Sequence, residues 1–167
     1  MLKINDGPSV CSMQTEGLLY LKGTEMEIKL SPYPIPVRQE LIDILKAEIA
    51  KTEITGENGV CIVFKDKSYS PERGGFHPVE ISFSSKGEIL YITDFAYRGI
   101  PPMAELCKEL DFDISMKVFQ MNDDCYPIEQ GRSLFRIWQS NFYAYYKMGV
   151  FDEIRVTENI GVEESVS

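Results

Sequence analysis

The sequence predicts an α+β fold: a mostly antiparallel sheet built on a central hairpin (77–83/88–94), with helices packed largely on one face. Three observations carry that prediction. Val79, Ile81 and Phe83 alternate with Glu80, Ser82 and Ser84, and a β-branched and aromatic run follows from Ile89 to Thr93. That is a period-2 pattern on either side of the short turn Ser85-Lys86-Gly87. Apolar residues at helical spacing fill 132–148, and Gly149 follows as a helix-ending glycine. Strand and helix patterns mix along the chain without an internal repeat, and the hairpin makes at least part of the sheet antiparallel.

The turn length decides the hairpin's register. Either two-residue loop, Ser84 opposite Gly87 or Ser85 opposite Glu88, sets odd positions of the first strand beside even positions of the second. One face then carries Val79, Ile81, Phe83, Leu90 and Ile92, with His77 and Asp94 at its end. The other carries Glu80, Ser82, Ile89, Tyr91 and Thr93. A three-residue loop would move Asp94 to the opposite face.

The remaining elements follow in order. Residues 1–23 are expected to be loosely ordered, with a short strand available at Leu18–Leu21. A single α+β domain spans 24–157, and 158–167 form a flexible acidic tail. Met26–Leu30 alternates as a strand. Pro32, Pro34 and Pro36 impose an extended path, read as a rigid lead-in to a helix ahead of an SH3-type ligand. Residues 37–52 form that helix, with Val37, Leu41, Ile44, Leu45 and Ile49 in its stripe and Glu48 as the one polar break. The unbroken apolar run Val60–Phe64 suggests a central strand covered on both faces, with Cys61 a small core residue. A polar loop, 67–75, leads to the hairpin. Beyond it, 102–110 reads as a short helix with Met103, Leu106, Cys107 and Leu110 inward. Phe112, Ile114, Met116 and Val118 alternate as a further strand, and Asn122-Asp123-Asp124 is a turn. In the helix at 132–148, Leu134, Trp138, Phe142 and Tyr145 form the apolar stripe, whereas Arg132, Arg136, Gln139, Tyr143 and Lys147 lie opposite. Ile154–Val156 suggests a last edge strand.

Composition bounds the function. The chain has 167 residues, 44% hydrophobic and 26% charged, with a net charge of −9. That acidity disfavours nucleic acid and anionic membranes, both of which require clustered Lys and Arg. It suits a basic partner or plain solubility. Four cysteines without a CxxC pair, and a single histidine, disfavour zinc. No secretory signal pattern and no apolar run of about 18 residues occurs. A cytoplasmic protein with reduced thiols, no membrane association and no cofactor is expected.

Several strings together, His77-Pro78-Val79-Glu80-Ile81, Tyr91-Ile92-Thr93-Asp94-Phe95-Ala96-Tyr97, Glu109-Leu110-Asp111-Phe112-Asp113, Gln130-Gly131-Arg132, Trp138-Gln139-Ser140-Asn141-Phe142 and Met148-Gly149-Val150, resemble a family of uncharacterised bacterial proteins. That family is a domain of unknown function found mainly in marine gamma-proteobacteria. The likeness spans about residues 25–157. It implies a small cytoplasmic bacterial protein carried on genomic islands, and no activity or catalytic residue.

The residues themselves offer three constellations. His77 and Asp94, with Glu80, Tyr97 and Arg98 nearby in sequence, can form a general-base pair or a hydrogen bond that closes the hairpin. Asp111, Asp113, Asp123 and Asp124 can hold a cation in principle, but solvated acidic turns are the simpler reading. On the long helix, Tyr143 and Tyr146 are free to form a docking surface, as is Tyr97 near the hairpin end. Cys107, beside Lys108, is the best redox candidate of the thiols. Two functions compete. One is a non-enzymatic binding or regulatory module that engages a protein or small ligand. The other is a small hydrolase-like enzyme with His77, Asp94 and Arg98 as its candidates. A deep pocket containing His77 would favour the enzyme, and a flat apolar patch the module. The terminal edge strand allows a homodimer.

Overall fold

Alternation of buried and half-buried side chains along successive short strands builds one seven-stranded antiparallel sheet, described in a computed structural model for residues 26–29 and 33–159. In chain order the elements are α1 (Gln39–Ile49), β1 (Val60–Lys65), β2 (Val79–Phe83), β3 (Ile89–Arg98), β4 (Glu105–Asp113), β5 (Val118–Met121), β6 (Asp124–Pro127), a 3-10 turn (Ile128–Gly131), α2 (Arg132–Met148) and β7 (Glu153–Glu158). Across the sheet the order is β6-β5-β4-β3-β2-β1-β7, which makes the hairpin strand β3 central. The helices sit on one face. There Phe64, Ile81, Phe83, Ile92 and Phe112 meet Phe135, Trp138 and Phe142 of α2 and the Leu41–Leu45 face of α1. The other face is a polar ladder: Tyr91 Oη donates to Glu80 Oε1 (2.8 Å), and Thr93 Oγ1 to Asp111 Oδ1 (2.7 Å).

The hairpin keeps the expected pairing by a different route. Its turn is three residues long, closed by Ser84 N–H donating to Glu88 O (2.9 Å), with Gly87 at a φ of +73°. That loop alone would invert β3. The inversion is cancelled one step later, where Phe83 pairs with Ile89 but Ser82 with Tyr91, leaving Leu90 as a bulge. Ile81 therefore still faces Ile92, and Val79 faces Asp94. Near the turn Ile89, not Leu90, enters the core. Gly87 also accepts the N–H of Lys29 (2.9 Å), and a Cβ at this glycine would collide with the carbonyl of Glu27. Gly87→Ala is expected to cost about 1–2 kcal/mol from the left-handed backbone alone. It should also release residues 26–29, read as faster amide exchange at Lys29.

Four other expectations are corrected. Residues 102–110 are not a helix: the i, i+3, i+4, i+7 spacing of Met103, Leu106, Cys107 and Leu110 is accidental. The long central strand β3 takes up Glu105–Asp113 as its ladder partner, and Met103 and Leu106 are exposed. The alternation at 112–118 spans the end of β4, a turn at 114–117 and the start of β5, with Lys117 at a φ of +56°. Strand β1 lies next to the edge, and only Val60, Ile62 and Phe64 are fully buried, so one face is covered rather than two. Residues 26–29 lie outside the sheet, with Ile28 buried. The expectations for Leu18–Leu21, for residues 1–23 and for the tail beyond Asn159 fall outside the described residues.

The second helix matches its expected range, and Gly149 caps it at a φ of +70°. Gln139, expected opposite the apolar stripe, is buried instead. Its amide clamps the proline lead-in: Nε2 donates to Pro36 O (2.9 Å), and Oε1 accepts from Arg38 N–H (2.8 Å). α1 starts at Gln39, directly after that segment. Glu48 is buried, with Tyr146 Oη and Lys51 Nζ both donating to it; burial first, and then the bond to Glu48, pushes the Tyr146 phenol up to about 12. Ile154–Val156 lies within edge strand β7, paired with β1. None of the described helices is long and apolar enough to cross a membrane.

Candidate functional site

The approach to the site is set by Asp66, just after β1. Its Oδ2 accepts the N–H of Phe76 (3.1 Å) and its Oδ1 both the N–H and the hydroxyl of Ser68. The Ser68 hydroxyl foremost draws this carboxyl below the usual carboxylate range. The clamp delivers His77 two residues ahead of β2, on the same side as Val79 and its partner Asp94. His77 Nδ1 lies 3.0 Å from Asp94 Oδ1 and 3.0 Å from Glu109 Oε2.

Glu109 gets there through a second bulge. The β3–β4 register passes from Asp94↔Leu110 to Phe95↔Lys108, and Glu109 is the extra residue. Such bulges re-aim a side chain without breaking the sheet. The second oxygen of Asp94, Oδ2, accepts the indole N–H of Trp138 (3.0 Å). Asp94 thus joins β3, the histidine loop and α2 at one carboxylate. The His77 ring packs against Tyr69 (centroids 5.3 Å apart), and Tyr69 against Tyr97 (5.1 Å). The hydrogen bond to Asp94 raises the pKa of His77 above its ordinary value. Burial opposes that rise, and the charges of Asp94 and Glu109 add to it.

A pocket of about 300 Å³ opens beside this cluster, between the end of the hairpin and α2. His77, Asp94 and Trp138 line it with Phe76, Leu134, Ile137 and Tyr145, so one polar end meets a mainly apolar wall. Its volume is at the lower limit for small-ligand sites.

The other sequence candidates divide. Arg98 is not at the cluster: its guanidinium bonds both oxygens of Asp123 (3.0 and 2.9 Å) and Asn122 Oδ1 (3.0 Å) across the β5–β6 turn. Glu80 is on the opposite sheet face with Tyr91. Tyr97 reaches the site only through Tyr69, whose oxygen accepts its N–H (3.1 Å). Tyr143 is exposed under Lys147, 5.8 Å from its ring, whereas Tyr146 is half-buried and its hydroxyl is tied to Glu48. Asp111 is buried under Thr93 and Lys108, so it is not a solvated turn residue. Burial pushes the Cys61 thiol up to about 11, which leaves it inert at neutral pH. Cys107 is half-buried on β4. Two residues of the site carry no sequence signal for it: Glu109 falls in a segment with helical apolar spacing, and Trp138 in the core stripe of α2.

Fold and site together define a sheet-and-helix protein with a pocket at the end of its central hairpin. By sequence the chain belongs to a family of proteins of unknown function (DUF2787), whose model matches residues 39–157. It is similar to two solved structures from Vibrio cholerae. The first is the hypothetical protein VC0508 of the VSP-II pathogenicity island, at 35% identity and a TM-score of 0.68, covering 77% of this chain and 99% of that one. The second is the conserved hypothetical protein VC1805 of pathogenicity island VPI-2, described as sharing structural homology with the human P32 protein. Its identity is 38% and its TM-score 0.66, with 76% of this chain and 98% of that one covered. No curated protein matches the chain.

Proposed function

We propose that the chain is a binding module for a small amphipathic ligand, seated between the hairpin end and α2. The observation that carries this reading is the join of a three-group polar cluster to an apolar pocket of about 300 Å³. Two carboxylates and one imidazole leave the cluster net negative whether or not His77 is protonated. The complementary head group is therefore a cation or a hydrogen-bond donor, with an aliphatic or aromatic body against Leu134, Ile137 and Tyr145. Trp138 is the only tryptophan of the chain and lines the pocket, so its emission reports occupancy directly. With a panel of alkyl- and arylalkylamines, a saturable change in that emission is expected. It should weaken at least about tenfold (1.4 kcal/mol) in Ile137→Glu, which places a charge on the apolar wall at an exposed position. A panel without saturable response, or one unaffected by Ile137→Glu, would count against the module.

A second reading has its own support, because His77 lines the pocket. Asp94 orients the imidazole and is itself held by Trp138, the arrangement of a general base. Among the described residues lining the pocket there is no Ser, Thr or Cys, so on this reading water is the nucleophile and the reaction a hydrolysis. Turnover of an ester or phosphoester panel that vanishes in His77→Ala would favour this reading over simple binding.

A further inference from the structure

We propose that His77, Asp94 and Glu109 form a binding site for a divalent first-row transition metal at the mouth of the pocket. The site goes beyond the ligand-binding reading and does not rest on it.

Three residues from separate places, the loop before β2, strand β3 and the bulge of β4, bring one ligand atom each within 4.8 Å of the others. Nδ1 of His77 is 3.0 Å from an oxygen of each carboxylate. The single hydrogen on an imidazole nitrogen can serve two acceptors only by being shared between them, whereas a metal in its place engages both carboxylates directly. In an octahedral shell, ligand atoms about 2.1 Å from a cation and at right angles to each other are about 3.0 Å apart. Each carboxylate oxygen thus stands to Nδ1 as neighbouring ligands of an octahedral shell stand to each other, and all three atoms lie within 4.8 Å of one another.

Charge points the same way. Among the described residues neither Asp94 nor Glu109 forms an ion pair with a lysine or arginine. Two carboxylates converge with only an imidazole between them, and a divalent cation neutralises the pair. Support around the ligands is also present. The Trp138 indole N–H holds the far oxygen of Asp94, the outer-shell hydrogen bond that orients a ligating carboxylate. The Glu109 bulge supplies the third ligand at no cost to the rest of the β3–β4 ladder.

One nitrogen and two oxygens make a mixed donor set. Imidazole favours Mn²⁺, Fe²⁺, Co²⁺ or Zn²⁺ over Ca²⁺ and Mg²⁺, which prefer oxygen alone. Three protein ligands leave coordination positions open, which water can fill; a bound metal takes the place at the carboxylates that a cationic head group would otherwise hold.

The test uses the full chain after treatment with a chelator, with no organic ligand added. Titration with Mn²⁺, Co²⁺ and Zn²⁺ is followed by calorimetry, and Mn²⁺ broadening by NMR of the His77 imidazole and Trp138 indole signals. Both signals are unambiguous, since the chain has one histidine and one tryptophan. One saturable equivalent is expected, with selective broadening of these two signals. Binding should weaken at least tenfold in both His77→Ala and Glu109→Gln, and Mg²⁺ at equal concentration should not displace the metal. The Glu109 side chain is 40% exposed, so its amide variant keeps the fold if the first variant does not. Absence of saturable binding, or binding that survives Glu109→Gln, would overturn the site. Metal binding with no amine response would sink the ligand reading alone, and the reverse result would sink the metal site alone.

Discussion

Phe64→Ala is expected to destabilise the protein by about 3–5 kcal/mol, the range for deleting a fully buried aromatic ring. Phe64 is 0% exposed on the helix side of β1. Its ring meets Phe142 edge-on at 5.0 Å, Tyr146 at 6.3 Å and Phe151 at 5.7 Å. It thus joins β1 to the last two turns of α2 and to the segment that returns as β7. Each such aromatic pair adds about 0.5–1.5 kcal/mol beyond burial, and the three partners cannot all close around the cavity. In a chain of this size 1 kcal/mol moves the melting temperature by about 2–4 °C. Urea denaturation followed at Trp138 should show the full loss as a lower midpoint, with a Tm drop of roughly 6–20 °C. Phe64→Leu, which keeps most of the volume, should lose less than half as much. Equal losses for the two variants would mean that the ring contacts contribute little.

Asp94→Ala is expected to cost about 2–3 kcal/mol through a different mechanism. The carboxylate holds His77 on one oxygen and the Trp138 indole N–H on the other, and Trp138 is itself 6% exposed. Alanine leaves that buried donor without an acceptor, and an unsatisfied buried group costs about 1–3 kcal/mol. Asp94→Asn separates the two roles. Its amide oxygen can still accept from Trp138, so about half of the loss should return, while the charge facing His77 is gone.

The pH dependence follows from that charge. The folded protein raises the pKa of His77, first through Asp94. In the metal-free protein the protonated imidazole therefore stabilises the fold. That contribution is complete below about pH 6.5, the ordinary histidine value, and is lost as pH rises through the folded-state value. The stability difference between wild type and Asp94→Asn should be widest near pH 6 and narrow above neutrality. A difference that widens with pH would contradict the pairing.

The elements read correctly from sequence share a physical property: their signals are local. α2 carries its apolar stripe, its length and its terminal glycine within one continuous segment, and 132–148 is the range observed. β2 shows its buried face by simple alternation. β4 had no such signal, because a bulge at Glu109 breaks its period and the remaining apolar residues fall at helical spacing. Its conformation comes from the unpaired edge of β3, ten residues long, which only a partner strand can satisfy. The role of Trp138 was hidden for a related reason. A tryptophan in an apolar stripe looks the same whether or not its N–H meets a carboxylate across the core.

The pairing of His77 with Asp94 lies between these cases. Parity along two strands placed both side chains on one face, and they meet there. That parity holds for a two-residue turn, whereas the protein uses three residues and a compensating bulge at Leu90. Alternation and helical period, set by side-chain geometry a few residues apart, let the sequence alone determine the α+β class, the hairpin and the long helix, whereas the His77–Asp94 contact needs the bulge at Leu90 as well. The tertiary structure decided the identity of β4, the arrival of Glu109 and the pocket under Trp138. Each of these depends on where a bulge falls and on which distant backbone or side chain needs a partner, and neither is written within a few residues of the groups concerned.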